Sequence, residues 1–343
     1  MKAAVLTGIR QIEIVDAPMP QIKEANEVLL KLEVVGICGS DVHYYETGRI
    51  GSQAVKFPYF IGHECSATVA DAGKAVKHLK TGQAVAVEPA IACHNCDQCK
   101  TGRENTCRNL RFLGTPPQPG CLCEYIVMPE DCIYPTHDRI TLEQAAVCEP
   151  LSIGIYSVQQ ASLSKDDNIA ILGSGPIGLS VLLAAKAHGI RNIYVTEKIK
   201  DRLIAAKKAG ATWVGNPEQE DVVKVIGNRV PLGVDAYFEC AGQQETIDQG
   251  IAMLKPGGKA VIVGIPRVDR ISFGIDNLRR KEITVVNIRR QNKCLPSAID
   301  LMACEKTNVD FMITHRFKLK QAKEAFDLVA SYNEGVIKAL IKF

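Results

Sequence analysis

The glycines of Gly173-Ser174-Gly175-Pro176-Ile177-Gly178 stand where a short apolar strand, Ile169 to Leu172, gives way to a helical stretch, Leu179 to His188. That placement constrains the fold more than any other feature of the chain. The spacing G-x-G-x-x-G is weak evidence alone, but a strand before it, a helix after it and an acid ending the next strand are the contexts a dinucleotide-binding turn requires. The acid is Glu197, 19 residues after Gly178. Glycines let the backbone approach a pyrophosphate, and free N–H groups at the helix start stabilise its charge. A carboxylate at 197 suits ribose hydroxyls and repels a 2′-phosphate, which favours NAD over NADP, while Lys198 and Arg202 nearby soften that preference.

The alternation of strand and helix continues through Asn192 to Thr196, Ala236 to Glu239 and Ala260 to Val263, the order of a parallel, doubly wound sheet. Before residue 150 the texture differs. Period-2 segments such as Glu27 to Val35, separated by glycine-containing turns and without long helices between them, imply an antiparallel, barrel-like β domain. Beyond about residue 285 short mixed elements return, ending in a β-like Val336 to Ile341. The expected architecture is α/β in two domains, a number that suits 343 residues. A β-rich domain takes residues 1–150 and 285–343, and a parallel-sheet domain is inserted as residues 151–284.

Cys93, Cys96, Cys99 and Cys107 follow the pattern C-x2-C-x2-C-x7-C in a polar stretch. Four thiolates at that spacing close a tetrahedron around zinc and leave no open position, which makes a structural site. Unliganded cysteines prefer burial. A second donor set is spread along the chain: Cys38, His63, Glu64 and Glu149. Such a mixed sulfur, nitrogen and oxygen shell suits a catalytic zinc that must admit a substrate. Ser40 and His43 lie close enough to Cys38 to relay a proton.

The formal charge of +3 is small and is not gathered into runs, which argues against a nucleic-acid or membrane partner and for a small molecule. The apolar stretch Ile169 to Ala185 is interrupted by Gly173, Ser174, Gly175, Pro176 and Gly178, unlike a membrane helix. Thirteen cysteines, an odd number, with no secretory pattern at Met1-Lys2-Ala3-Ala4-Val5, point to reduced thiols in the cytoplasm.

Taken together, Gly36-Ile-Cys-Gly-Ser-Asp-Val-His-Tyr-Tyr45, Gly62-His-Glu64, the cysteine tetrad, Glu149-Pro-Leu151 and the glycine turn resemble the zinc-dependent medium-chain dehydrogenase family. Thr115-Pro-Pro117, Leu122-Cys-Glu-Tyr125 and Thr314-His-Arg-Phe317 extend the resemblance to its polyol branch, the sorbitol and xylitol dehydrogenases. The resemblance implies a GroES-like catalytic domain, a Rossmann domain, zinc meeting NAD in a cleft between them, and a homotetramer. By the same resemblance Cys38, His63 and Glu64 hold the catalytic zinc, with Glu149 an additional ligand or a group bonded to the metal's water. Tyr44, Phe112 and Arg289 line the polyol pocket, and Ile177, Glu197, Arg202, Val263, Gly264 and Ile265 touch the cofactor. Arg290 stands where several of these enzymes carry tyrosine, and its added charge suits an acidic or phosphorylated sugar alcohol. The zinc and nucleotide motifs, though not the polyol-like pocket residues, also admit a 2,3-butanediol or threonine-type dehydrogenase, or a non-catalytic nucleotide-binding member.

Overall fold

Val28, Leu30 and Leu32 alternate with less buried Leu29, Lys31 and Glu33, so the strand Glu27–Gly36 presents one apolar row to a core. In the computed structural model, which describes residues 1–343, this strand organises a seven-stranded sheet. On one side it pairs with Glu64–Ala72, which leads on to Ala84–Val87 and Ile133–Pro135. Its other side is shared in sequence: Tyr125–Pro129 pairs with residues 27–31, and the C-terminal strand Lys338–Lys342 pairs with residues 34–36. The ladders are antiparallel except that Ile313–Lys318 runs parallel to Lys338–Lys342. A parallel pair needs a crossover connection, and the helix Ala322–Ser331 lies between those two strands in the chain.

From Asn168 the central strands Asn168–Leu172, Asn192–Thr196 and Val234–Glu239 are buried on both faces. With the flanking strands they form a six-stranded parallel sheet in the spatial order Trp213–Gly215, Asn192–Thr196, Asn168–Leu172, Val234–Glu239, Leu254–Ile262, Thr284–Asn287. This is the 3-2-1-4-5-6 order of a Rossmann sheet, whose direction of winding reverses between Asn168–Leu172 and Val234–Glu239.

The chain divides into two units, Met1–Glu149 with Leu295–Phe343, and Pro150–Cys294. The expected return to the first domain at residue 285 is too early by about ten residues. Thr284–Asn287 is too short to show a period, and its pairing with Leu254–Ile262 makes it the sixth parallel strand. No helix is long and apolar enough to cross a membrane.

Candidate active site

The helix Gly39–Thr47 starts after Cys38, whose backbone is extended. Asp41, in the first turn and only 1% exposed, accepts the Cys38 N–H at 3.2 Å and the Gly62 N–H at 3.0 Å. The same carboxylate lies 3.3 Å from Nδ1 of His63. A carboxylate only accepts, so Nδ1 carries the hydrogen and Nε2 is the nitrogen left for a cation. Asp41 thus fixes the helix start and the ring of His63 together. Phe112 packs on that ring with centroids 5.2 Å apart.

Ligand atoms of Cys38, His63 and Glu64 all lie within 4.8 Å of one another. Burial acts to lower the His63 pKa, but the charges of Asp41 and Cys38 outweigh it and hold it well above the ordinary histidine range. A place where protons are held so firmly is one where the local potential favours a cation. The thiolate, imidazole and carboxylate donors fit zinc by chemical type as well. The Ser40 hydroxyl donates to the sulfur of Cys38 at 3.3 Å, and half-buried His43 follows one helical turn later.

Glu149 is buried but lies outside the three-residue group; its charge acts on the buried ammonium of Lys338. It sits within the helix Leu142–Ala161, which continues through Pro150. Lys338 itself forms a salt bridge with Glu64 at 2.6 Å.

The four sulfurs of Cys93, Cys96, Cys99 and Cys107 also lie within 4.8 Å of one another. Cys96 is 3.5 Å from Cys99 and 3.9 Å from Cys107, close to the edge of about 3.8 Å for a tetrahedron with zinc–sulfur bonds of about 2.3 Å. Backbone N–H groups of Asn95 and Cys96 lower the Cys93 thiol to about 6, while burial and the neighbouring sulfurs push Cys99 up to about 12. Four thiolates this close repel one another, and a divalent cation allows all four to ionise. His94 is engaged instead by Asp131, at 2.6 Å.

In the parallel-sheet unit Gly175 caps the helix Pro176–His188, with Pro176 and Ile177 opening its first turn. A Cβ on Gly178 would collide with the carbonyl of Gly173, so the tight turn requires glycine there. Glu197 accepts the Ser174 N–H at 2.8 Å through Oε2, and the Lys198 and Ile199 N–H groups through Oε1. The ammonium of Lys198 is drawn toward Glu245 at 3.3 Å and Glu218 at 3.6 Å. Arg202 is buried, and its guanidinium lies beside Gly175.

The loops after the fourth and fifth parallel strands are tied by a residue that the sequence pattern did not single out. Glu239, 1% exposed, accepts the Ala241 and Gly242 N–H groups and the Thr246 hydroxyl, each at 2.8 Å. Its carbonyl accepts the Val263 and Gly264 N–H groups, and Ile265 is exposed next to them. Arg289 and Arg290 follow the sixth strand at the same end of the sheet; Arg289 is exposed and Arg290 adopts a positive φ of 58°. In the other unit Tyr44 belongs to the apolar core and Phe112 to the wall beside His63. Asp41 and Lys338 were also missed. An acid three residues after Cys38 is a capping signal that points to Asp41, whereas nothing local marks Lys338.

Residues 24–138 match the alcohol dehydrogenase GroES-like domain and residues 176–304 match the zinc-binding dehydrogenase domain. Sorbitol dehydrogenase of Bacillus subtilis (strain 168) is 38% identical over 344 residues, spanning 99% of this chain and 97% of that protein. D-xylulose reductase A of Aspergillus oryzae is 37% identical over 343 residues, with 98% and 95% covered. Among solved structures, 2R,3R-butanediol dehydrogenase from Bacillus subtilis has a TM-score of 0.90 at 30% identity and covers 100% of this chain and 99% of its own. The chain belongs to the zinc-dependent medium-chain dehydrogenase family, with a GroES-like domain and a Rossmann domain, and to the polyol branch of that family. It is an oxidoreductase.

Proposed function

We propose that the protein is a zinc-dependent, NAD-linked polyol dehydrogenase, which reversibly oxidises a secondary alcohol of a sorbitol-, xylitol- or L-iditol-like sugar alcohol to the ketose. The observation that carries this reading is the convergence of Cys38, His63 and Glu64 within 4.8 Å, in a chain whose other unit keeps a pyrophosphate turn answered by Glu197. When bound there, zinc would supply Lewis-acid stabilisation of the charge that develops on a hydroxyl oxygen, and NAD would accept the hydride.

The chain's own residues do the rest. Asp41 holds the His63 ring in the tautomer that offers Nε2 to a metal. Phe112 covers one side of that ring and limits water there. Ser40 and His43 lead the hydroxyl proton outward, the serine as a relay and the imidazole as the next acceptor. Arg289 orients the polyol through its fixed fork of donors and Arg290 adds charge that favours an anionic substituent, while Tyr44, buried in the core, anchors the helix that carries Ser40 and His43. Glu149, buried near Lys338, would serve as an additional ligand or hold a water of the metal. Gly173, Gly175, Pro176, Ile177 and Gly178 receive the pyrophosphate, Glu197 and Arg202 the adenosine side, and Val263, Gly264 and Ile265 the nicotinamide side. Cys93, Cys96, Cys99 and Cys107 hold a second, structural zinc, and the working form is a cytoplasmic homotetramer.

The similarity to a butanediol dehydrogenase favours one competing substrate class. NAD reduction should therefore be followed spectrophotometrically with sorbitol, xylitol, L-iditol, 2,3-butanediol and L-threonine. The expected result is the highest kcat/KM on a polyol; a higher value on butanediol or threonine overturns the substrate reading. In parallel, Cys38→Ser should lose one of two zinc ions per chain together with turnover. A variant that keeps both metals and near-normal activity overturns the assignment of Cys38.

A further inference from the structure

Lysine is rarely buried without a partner, yet Lys338 is only 1% exposed. Its ammonium donates to both carboxylate oxygens of Glu64, at 2.8 and 2.6 Å, and to the carbonyl of Ile37 at 3.1 Å. An ammonium has three hydrogens, so this set matches its full donor capacity. Two hydrogen bonds to a carboxylate and one to a carbonyl stabilise the charged, ammonium form of this side chain.

The seat of Glu64 is equally defined. It lies opposite Gly36 across the ladder, and a Cβ on Gly36 would collide with its Oε2. In that seat Glu64 still has an oxygen within 4.8 Å of the ligand atoms of Cys38 and His63. One carboxylate therefore stands between an ammonium and the place where a metal would be held. Two cations that share a carboxylate weaken each other's hold on it, because each draws on the same oxygen charge.

We propose that Lys338 is a positioning residue that competes with the metal for Glu64 and so keeps this carboxylate a weak, exchangeable ligand. Cys38 and His63 then hold the ion firmly, while the position served by Glu64 opens readily to a substrate hydroxyl. The inference rests on the reading of Cys38 and His63 as zinc ligands.

The test is metal binding, measured by chelator competition on protein carrying zinc in the cysteine tetrad and cobalt(II) at the Cys38 site, whose visible absorption reports ligand number and type. Lys338→Met removes the competing charge. Cobalt should bind about tenfold more tightly, the scale on which groups behind metal ligands act, with an altered cobalt spectrum and a lower kcat. Lys338→Arg should restore wild-type affinity and spectrum, and Glu64→Gln in the Lys338→Met background should abolish the gain. A Lys338→Met protein that gains less than threefold, or keeps the wild-type spectrum, overturns the proposal and leaves an ordinary buried ion pair.

Lys338→Met leaves the Glu64 charge buried without its partner and can prevent folding. Glu64→Gln with Lys338 retained then gives the answer. A loss of metal affinity below tenfold fits a weak ligand, and a larger loss overturns the proposal. A wild-type protein that takes up metal at the tetrad alone removes the Cys38 reading and this inference together; an unaltered Lys338→Met variant in a two-metal protein removes the inference only.

Discussion

Both oxygens of Glu197 are engaged by backbone N–H groups, Oε2 by Ser174 in the glycine turn and Oε1 by Lys198 and Ile199 beyond its own strand. The side chain that marks the ribose position thus also shapes the turn that receives the phosphates. Glu197→Ala would lose one charge-assisted hydrogen bond to the adenosine ribose, about 2 kcal/mol, and should raise the KM for NAD roughly thirtyfold. The kcat/KM ratio of NADP to NAD should rise as well, since the repelling carboxylate is gone and buried Arg202 stays beside Gly175. Steady-state kinetics with both cofactors decide the matter, and an unchanged preference removes Glu197 from this role. Asp41 works on the same scale: one buried carboxylate, three contacts, and the orientation of a ring on another element.

At the scale of elements, the stretch from Cys93 to Cys107 holds only the one-turn helix Asp97–Lys100 and the 3-10 turn Glu104–Thr106. Its backbone hydrogen bonds are all short-range, such as Lys100 to Cys96 and Cys107 to Glu104, so the tetrad is what draws residues 93 and 107 together. Cys99→Ser should cost the structural zinc, lower the melting temperature and open residues 93–107 to proteolysis, while metal remains at the Cys38 site. Zinc binding that contributes on the order of 10 kcal/mol in small zinc-binding peptides makes a sizeable loss the expectation. Metal analysis, calorimetry and limited digestion check it; two retained zinc ions with an unchanged melting temperature would show that Cys99 is not a ligand. The helix Leu142–Ala161 teaches a different lesson. Pro150 reads as a helix breaker, yet the helix runs through it, because packing overrides the lost hydrogen bond of one residue.

For the whole molecule, the two units differ in continuity. Pro150–Cys294 is one unbroken stretch with its own parallel sheet and its own apolar cluster around Ala170, Tyr237, Ile251 and Ala260. The other unit needs both ends of the chain, since Lys338–Lys342 is an internal strand between Glu27–Gly36 and Ile313–Lys318. A fragment of residues 150–294 should therefore unfold cooperatively by circular dichroism, and a fragment of residues 1–149 should not. Cooperative folding of residues 1–149 alone would contradict the place given to the last strand.

What could be read from the sequence was what lies close along it. The tetrad spans 93–107, and the glycine turn with its flanking strand and helix spans 168–188; short spacing restricts geometry enough for ligand type and turn chemistry to be recognised. The donors Cys38, His63 and Glu64 were legible as residue types, but their meeting depends on Asp41 and on the register that sets Glu64 opposite Gly36. Glu239 was hidden because an acid ending an apolar strand looks like many others, and residues 284–287 were too few to declare a sixth strand. Lys338 lies 274 residues from Glu64, and no local pattern in the chain predicts that they touch. Only the pairing of the last strand with Glu27–Gly36 brings that ammonium to the carboxylate, since a charge becomes a partner through distance in space and not through order along the chain.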